Sequence, residues 1–390
     1  MNSISKPRIQ SLDVLKGLVM IIMALDHTRD YFHASAFLFN PTDPTQSTLP
    51  VFFTRFITHF CAPTFFFLAG VSAFMVGKRK SKAELSSFLI KRGLWLILVE
   101  FTLVTFAWQF DFQFRINGIA VIAMLGISMI ILAALINIPR NALIILCCLV
   151  ILGHNLLDRV HFPDNFLWAI IHQQEAFTLS SGFKFYLDYP IIPWFAVMAL
   201  GFCFGSFYDK YFDAGKRRKI FNTIGVLAIA LFFVLRASNI YGDQVRWTSF
   251  GNIESTIMSF FQLTKYPPSL LYLLITMGPM FLFLGNSEHL KGRIVSFIST
   301  YGRVPFFYYI VHLYIIHLLA VVFGLLSGFG WLLLVLPDWI LELPTVRGYG
   351  FSLGVVYIVW IVVIAITYPL CRWYDNYKSR HPDKWWLSYL

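Results

Sequence analysis

One stretch near the start of the chain places ionisable side chains at the end of an apolar run. Residues 12–35 read LDVLKGLVMIIMALDHTRDYFHAS, and the ionisable residues near the end of this run are Asp26, His27, Arg29, Asp30 and His33. Charged groups inside a membrane helix are costly and usually serve a function. A histidine can accept a proton from a hydroxyl or an amine at neutral pH. The cluster therefore predicts a site for catalysis or proton transfer.

Within this cluster, His27 is the first candidate for a catalytic base. Asp30 follows three positions later, so it would share a helix face with His27 and could orient the imidazole ring. Asp26 is adjacent to His27, and His33 is a second candidate base. The alternative is that these residues are simply the solvated outer end of a helix. The residues alone leave both interpretations open.

The composition indicates a membrane protein. The chain has 390 residues, of which 58% are hydrophobic and only 13% are charged, and its mean hydropathy is +0.68. A globule of this size would need more polar surface, whereas lipid can solvate an apolar exterior. We expect an all-α integral membrane protein with about ten transmembrane helices in one bundle and a single domain over residues 1–390. The predicted spans are 12–32, 54–77, 88–108, 116–136, 141–158, 186–207, 219–238, 266–286, 303–325 and 349–370.

The distribution of basic residues predicts the orientation of the chain. Most of the 31 Lys and Arg residues, Lys6 and Arg8 among them, fall in alternate connections on one side, which the positive-inside rule assigns to the cytoplasm. Both termini are then cytoplasmic, and the protein is a multi-pass protein of the plasma (inner) membrane. This placement explains the net charge of +11 by lipid headgroups, without a nucleic-acid partner. A cleavable secretory signal ending at residues 34–36 is an alternative for the N-terminus.

Three other patterns bear on the fold and on cofactors. The five cysteines are scattered and form no Cys/His spacing suited to zinc, so no metal is expected. Gly201 and Gly205 form a GxxxG pattern, which predicts close helix packing. Residues 330–343 are apolar but contain Pro337 and Asp338, so an interfacial or re-entrant segment is predicted rather than another span.

Several segments together resemble a known family. These segments are SLDVLKG and DHTRDYFHAS near the N-terminus, ITHFCAPTFFFLAG at 57–70, KYPPSL at 265–270, YGRVPFFYYIVHLYIIH at 301–317 and the terminal DKWWLSYL. They are similar to the heparan-alpha-glucosaminide N-acetyltransferase catalytic-domain family. The resemblance runs from about residue 8 to the C-terminus, and the segments occur in the family's order.

The resemblance implies acetyl transfer from cytoplasmic acetyl-CoA to an amine or hydroxyl on the outer side of the membrane. The acceptor would be a small molecule or a saccharide, and a histidine would act as general base or acyl carrier. Coenzyme A is polyanionic, so basic residues at the inner surface are expected to bind it. The candidate cofactor-binding residues are Lys16, Lys91, Arg92, Arg303 and, along the acyl tunnel, His312.

Two families suggest different catalytic histidines. The first helix is similar to that of bacterial membrane O-acyltransferases, in which a basic residue, usually Arg, precedes the catalytic histidine. In this chain Lys16 takes the place of that Arg, and after ten intervening residues His27 takes the place of the catalytic histidine. Lysosomal acetyltransferases have their histidine in a His-Ala pair, which corresponds to His33 and Ala34. We favour His27 because its spacing needs no gap. Asp26 and Asp30 are the carboxylates expected to assist it.

A proton-coupled transporter or flippase is the second functional class. A His and carboxylate cluster in a membrane helix could also relay protons. Such a protein should show two similar halves or paired broken helices, and the sequence shows neither. The acyltransferase interpretation is therefore preferred. The acceptor, the length of the donor acyl chain and the oligomeric state are left open by the sequence.

Overall fold

The computed structural model describes residues 9–179 and 182–388, so Lys6 and Arg8 lie outside the described residues. Helices dominate this part of the chain. The first eight are α1 (Gln10–Phe32), α2 (Leu49–Thr58), α3 (Cys61–Gly77), α4 (Lys82–Val99), α5 (Thr105–Gln109), α6 (Val121–Leu135), α7 (Arg140–Gly153) and α8 (Phe166–His172). The others are α9 (Ile191–Phe204), α10 (Ala214–Ser238), α11 (Ile253–Phe261), α12 (Leu270–Asn286), α13 (Arg293–Arg303), α14 (Pro305–Leu326) and α15 (Leu353–Arg380).

Every predicted span overlaps a helix, but the boundaries differ in places. Six helical segments in the described residues are long and apolar enough to cross a membrane: Leu49–Gly77, Arg140–Arg159, Ile191–Tyr208, Ala214–Ser238, Pro305–Leu326 and Leu353–Arg380. The count of ten and the cytoplasmic termini stay predictions. A π-helix, Glu100–Val104, joins α4 to α5 within the third predicted span.

A small sheet departs from the all-α expectation. Its strands are β1 (Ile116–Ile119), β2 (Glu175–Thr178) and β3 (Lys184–Leu187), in the order β1-β3-β2. β3 pairs parallel with β1 and antiparallel with β2. The fourth predicted span therefore begins as a strand, and its helix, α6, starts only at Val121. β1 and β3 are distant in sequence, which is why local pattern did not predict their pairing.

Glycines allow the helices around α1 and α3 to approach closely. A Cβ on Gly302 would lie 1.8 Å from the carbonyl oxygen of Asp13, and one on Gly17 would lie 1.9 Å from that of Ile298, so α1 and α13 touch backbone to backbone. A Cβ on Gly201 would similarly lie 2.0 Å from the carbonyl oxygen of Phe67 on α3. The packing role predicted for the GxxxG pattern of α9 is confirmed.

Replacing Gly302 by alanine is expected to destabilise the protein by about 1–3 kcal/mol, because the added methyl group must push α1 away from α13. The matched control is Gly215→Ala in α10, where the nearest atom is a side-chain oxygen of Asp213 at 3.3 Å. Alanine favours helix there, so stability should be unchanged or slightly higher. Thermal denaturation of both variants in detergent checks the prediction. Equal melting temperatures would contradict the close contact.

The apolar segment 330–343 forms turns and a short 3₁₀-helix rather than a further span. The 3₁₀-helices Ile340–Glu342 and Pro344–Val346 follow one another, while Leu333 and Leu336 are buried. The Leu336 backbone N–H donates to the carbonyl of Gln109 over 2.9 Å. This segment thus packs against the end of α5, close to the site described next.

Candidate active site

One cavity of about 490 Å³ lies among α1, α3, α4, α6 and α14. Its walls are mainly apolar, as in Met20, Met23 and Phe65, with a few polar residues. The volume is within the range of small-molecule and cofactor sites, which combine apolar walls with a few placed polar groups. The cavity is therefore the first candidate for a functional site.

A single face of α1 forms one wall of this cavity. Lys16, Met20, Met23 and His27 all line it, and their spacing of four, three and four residues places them along one face of a helix. At 1.5 Å rise per residue, Lys16 and His27 are about 16 Å apart along the axis. Lys16 and His27, both singled out by the sequence analysis, therefore share one elongated cavity.

Two of the predicted coenzyme-binding cations line the cavity and two do not. Lys16 and Arg92 are part of its wall, and Lys16 donates to the hydroxyl of Ser72 over 3.1 Å. Lys91 is exposed and lies outside the wall, because successive helix residues differ by about 100° in direction. Arg303 instead donates to the carboxylate of Asp375 over 2.7 Å and is also outside the wall. The cavity geometry supports the first pair and not the second.

His27 is held by another histidine. Its Nδ1 lies 2.7 Å from Nε2 of His312 on α14. The planes of the two rings differ by only 14° and their centroids are 5.0 Å apart, so the rings lie edge to edge. The His27 and Trp108 rings also pack in a T-shaped arrangement, with centroids 4.9 Å apart. His312 is fully buried and so serves as a support for His27 rather than as part of the cavity wall.

The hydrogen bonds of His312 determine which nitrogen of His27 is basic. Nδ1 of His312 lies 2.8 Å from the carbonyl oxygen of Tyr308 and must donate to it, because a carbonyl only accepts. In neutral His312, Nε2 then carries the lone pair and accepts the N–H from Nδ1 of His27. Nε2 of His27 is left with a lone pair. The arrangement prepares His27 to accept a proton.

The carboxylates beside His27 are held by arginines, which corrects the predicted role of Asp30. The Asp30 carboxylate accepts from Arg29 over 2.6 Å, and it is His312 that bonds the His27 ring. Asp26 lines the cavity, but it accepts from Arg29 over 2.8 Å and from Arg55 of α2. Two adjacent guanidinium groups compete more strongly for the carboxylates than a neutral imidazole does. Asp26 is the centre of an ion-pair network.

His33 lies away from the cavity. It caps the 3₁₀-helix Ala34–Phe37, where its Nδ1 lies 2.7 Å from the hydroxyl of Ser35. Partial burial and the neighbouring Arg29 lower the pKa of His33 below its usual value, so it is neutral at pH 7. The structure thus brings His27, but not His33, into the cavity wall.

Four residues of the site were missed in the sequence. Lys265, Tyr189 and Tyr309 line the cavity, and Arg55 binds Asp26. Lys265 belongs to the KYPPSL segment, so the resemblance indicated its region but not its role. Tyr309 likewise belongs to the quoted segment 301–317, whereas for Tyr189 the only available signal was an aromatic residue among many.

Glu100 supports the far wall of the cavity. Its buried carboxylate accepts the backbone N–H groups of Ile122 and Ala123 over 2.8 and 2.9 Å. These groups lie in the first turn of α6, where a carboxylate is favoured by the unpaired N–H groups and the helix dipole. Ile122 in turn lines the cavity. Glu100, the acidic residue within the third predicted span, therefore positions the part of the cavity wall that the start of α6 forms.

One comparison with known proteins gives a match. The family described as "Heparan-alpha-glucosaminide N-acetyltransferase, catalytic" matches residues 8–241, more than half of the chain. The matched part contains α1, α3, α4 and α6, which form most of the cavity, whereas α14 lies beyond it. The chain has no match among curated proteins.

Proposed function

Because the chain belongs to the heparan-alpha-glucosaminide N-acetyltransferase catalytic family, we propose that it transfers the acetyl group of acetyl-CoA to an amine or hydroxyl of a sugar. It acts as a single domain in the plasma (inner) membrane, with both termini in the cytoplasm. The observation that carries the proposal is that one cavity is lined by Lys16, Arg92 and His27, with Lys16 and His27 about 16 Å apart along α1.

The donor enters from the cytoplasmic side in this proposal. The phosphates of coenzyme A pair with Lys16 and Arg92, which can make strong charge-assisted hydrogen bonds to them. The thioester arm then runs along the apolar walls toward His27, about 16 Å along α1. Burying the arm excludes water and so protects the thioester from hydrolysis.

The chemical step joins the acceptor and the thioester at His27. Nε2 of His27 takes the proton from the acceptor N–H or O–H as the acceptor atom attacks the thioester carbonyl. The tetrahedral intermediate collapses, the C–S bond breaks, and the thiolate of coenzyme A leaves and takes up the proton. His312 accepts the Nδ1–H of His27 and so stabilises the transient imidazolium. Lys265 and Tyr309, also in the wall, supply donors for the developing oxyanion.

A transfer assay tests this function. Purified full-length protein in proteoliposomes is given acetyl-CoA with a radiolabelled acetyl group and a panel of amino sugars and neutral sugars. Labelled acetyl-sugar should form together with free coenzyme A thiol. If coenzyme A is released at the same rate with and without acceptor, or if no acceptor is labelled, the proposal is wrong and a transport function gains support.

Arg92→Ala is expected to raise the KM for acetyl-CoA about 10–100-fold with a smaller effect on kcat, because it removes a charge-assisted hydrogen bond to a phosphate. Lys91→Ala is the matched control, since it removes the neighbouring cation that is exposed and outside the cavity wall. Its KM should change less than about twofold. Steady-state kinetics with varied acetyl-CoA measures both. Equal effects of the two substitutions would count against donor binding at Arg92.

A further inference from the structure

A second cluster of ionisable side chains lies outside the active-site cavity. His154 follows α7 and begins the 3₁₀-helix His154–Arg159, which also carries Asp158, and His172 is the last residue of α8. One nitrogen from each histidine and a carboxylate oxygen all lie within 4.8 Å of one another. Both histidines are almost fully buried, with exposed fractions of 2% and 3%.

The hydrogen bonding of this cluster is incomplete. Nδ1 and Nε2 of His154 and Nδ1 of His172 are buried and have no hydrogen-bond partner among the described residues. Only Nε2 of His172 has one, the carboxylate of Asp158 at 3.2 Å. Buried polar groups are normally satisfied, so three unpartnered nitrogens in one cluster require an explanation. A bound metal ion would explain the nitrogens that coordinate it, because the ion would take the place of a hydrogen-bond partner.

We propose that His154, Asp158 and His172 bind a Zn²⁺ ion. Two imidazoles and one carboxylate are a donor set that Zn²⁺ prefers, and three protein ligands are typical of sites with an open position. With bond lengths of about 2.0–2.2 Å, tetrahedral ligand atoms lie about 3.3 Å apart. The separation of His172 Nε2 and Asp158 Oδ1 already matches this value. The His154 nitrogen needs to move by no more than about 1.5 Å to complete the site.

A second residue orients the carboxylate of this site. The Asn155 side-chain N–H donates to Oδ2 of Asp158 over 2.7 Å, which leaves Oδ1 directed at His172. The side-chain oxygen of Asn155 accepts the backbone N–H of Leu270 at the start of α12 over 2.9 Å. Outer residues of this kind commonly fix the geometry of metal ligands. The ion thus ties the end of α7 to α8 beside the start of α12.

The open position of the ion faces a polar pocket. A cavity of about 230 Å³ is lined by Asp158 and His172 together with His161, Gln173, Gln174 and Gln244. Tyr266 also lines it and is adjacent in sequence to Lys265 of the active-site cavity. The fourth ligand of Zn²⁺ is then water or an oxygen of a molecule in this pocket. The proposal does not depend on the acetyltransferase activity.

Zinc binding to purified full-length protein without a histidine tag tests the proposal. After treatment with a chelator and its removal, Zn²⁺ alone is added, and binding is followed by competition with a chromophoric chelator and by metal analysis. Wild type should bind one equivalent and gain melting temperature with Zn²⁺. His154→Ala and the nearly isosteric Asp158→Asn should bind at least about 100-fold more weakly and show no Zn²⁺-dependent shift.

The matched control is His161→Ala, which removes an imidazole from the same pocket but not from the ligand cluster. It should bind Zn²⁺ like wild type. Gel filtration and the melting temperature without metal verify that each variant is folded. If His154→Ala does not fold, Asp158→Asn still tests the proposal. The proposal is overturned if wild type binds no Zn²⁺, or if the folded variants bind it as tightly as wild type.

Discussion

Replacing His27 by alanine is expected to lower kcat for acetyl transfer by about 10²–10⁴-fold, the range that a general base contributes. The KM for acetyl-CoA should change little, because the proposed phosphate-binding residue Lys16 is about 16 Å from His27 along α1. Initial rates with saturating donor and acceptor measure the effect. The size of the loss follows from the lone pair on Nε2 of His27, which is the proton acceptor in the proposed step.

The control for this experiment is His33→Ala. His33 is bonded to Ser35 and lies outside the cavity wall, so its replacement should leave kcat within about threefold of wild type. The two histidines are six residues apart on one segment, and each is suggested by a different related family. A large loss in His33→Ala with an active His27→Ala would reverse the assignment.

The sequence predicted the parts of the site that one helix contains. Lys16 and His27 are eleven positions apart, which is close to three turns of 3.6 residues, so helix geometry alone places them on one face. Lys16 and Arg92 could both be predicted to bind the same ligand, because each cation lies near the start of an apolar span. The helical periodicity and the free-energy cost of a charge in a membrane helix were sufficient to predict that these residues are part of the site.

Hydrogen-bond and ion-pair partners that lie on other helices could not be predicted from local sequence patterns. The partner predicted for His27 was the carboxylate at i+3, Asp30, whereas its hydrogen-bond partner in the structure is His312, which is 285 positions away. Asp30 was unavailable because Arg29 holds it, and Arg55 could be paired with Asp26 only once α1 and α2 were known to pack together. Such pairings depend on which helices become neighbours, and an apolar pattern shows only that a helix is buried.

The fold was predictable to a similar degree. Long apolar runs specify helices because lipid requires the backbone to be hydrogen-bonded internally. The break between α2 and α3, the π-helix after α4 and the sheet each change only a few residues. β1 was included in a predicted helix because INGI is short and apolar, and its strand conformation depends on residues 184–187. Contacts this distant leave no periodic signal.

Asp26→Ala is expected to destabilise the protein by about 3–5 kcal/mol, the usual cost of removing one member of a buried ion pair. Arg29 is 2% exposed, and the Arg55 side chain is 15% exposed. Without Asp26 both guanidinium groups lose their shared acceptor where water cannot replace it. Unfolding in mixed detergent micelles, followed by intrinsic fluorescence, measures the loss.

The matched control is Asp30→Ala, because Asp30 also binds Arg29 but is more exposed, with a side-chain accessibility of 25%. Arg29 would keep Asp26 as its acceptor, so the cost should be about 1 kcal/mol or less. Equal losses would mean that the two carboxylates share the charge of Arg29 and that Arg55 contributes little. A larger loss for Asp26 means that this aspartate, adjacent to the proposed catalytic base, holds α1 against α2. His27 would then keep its position in the cavity wall because the ion-pair network fixes the end of α1.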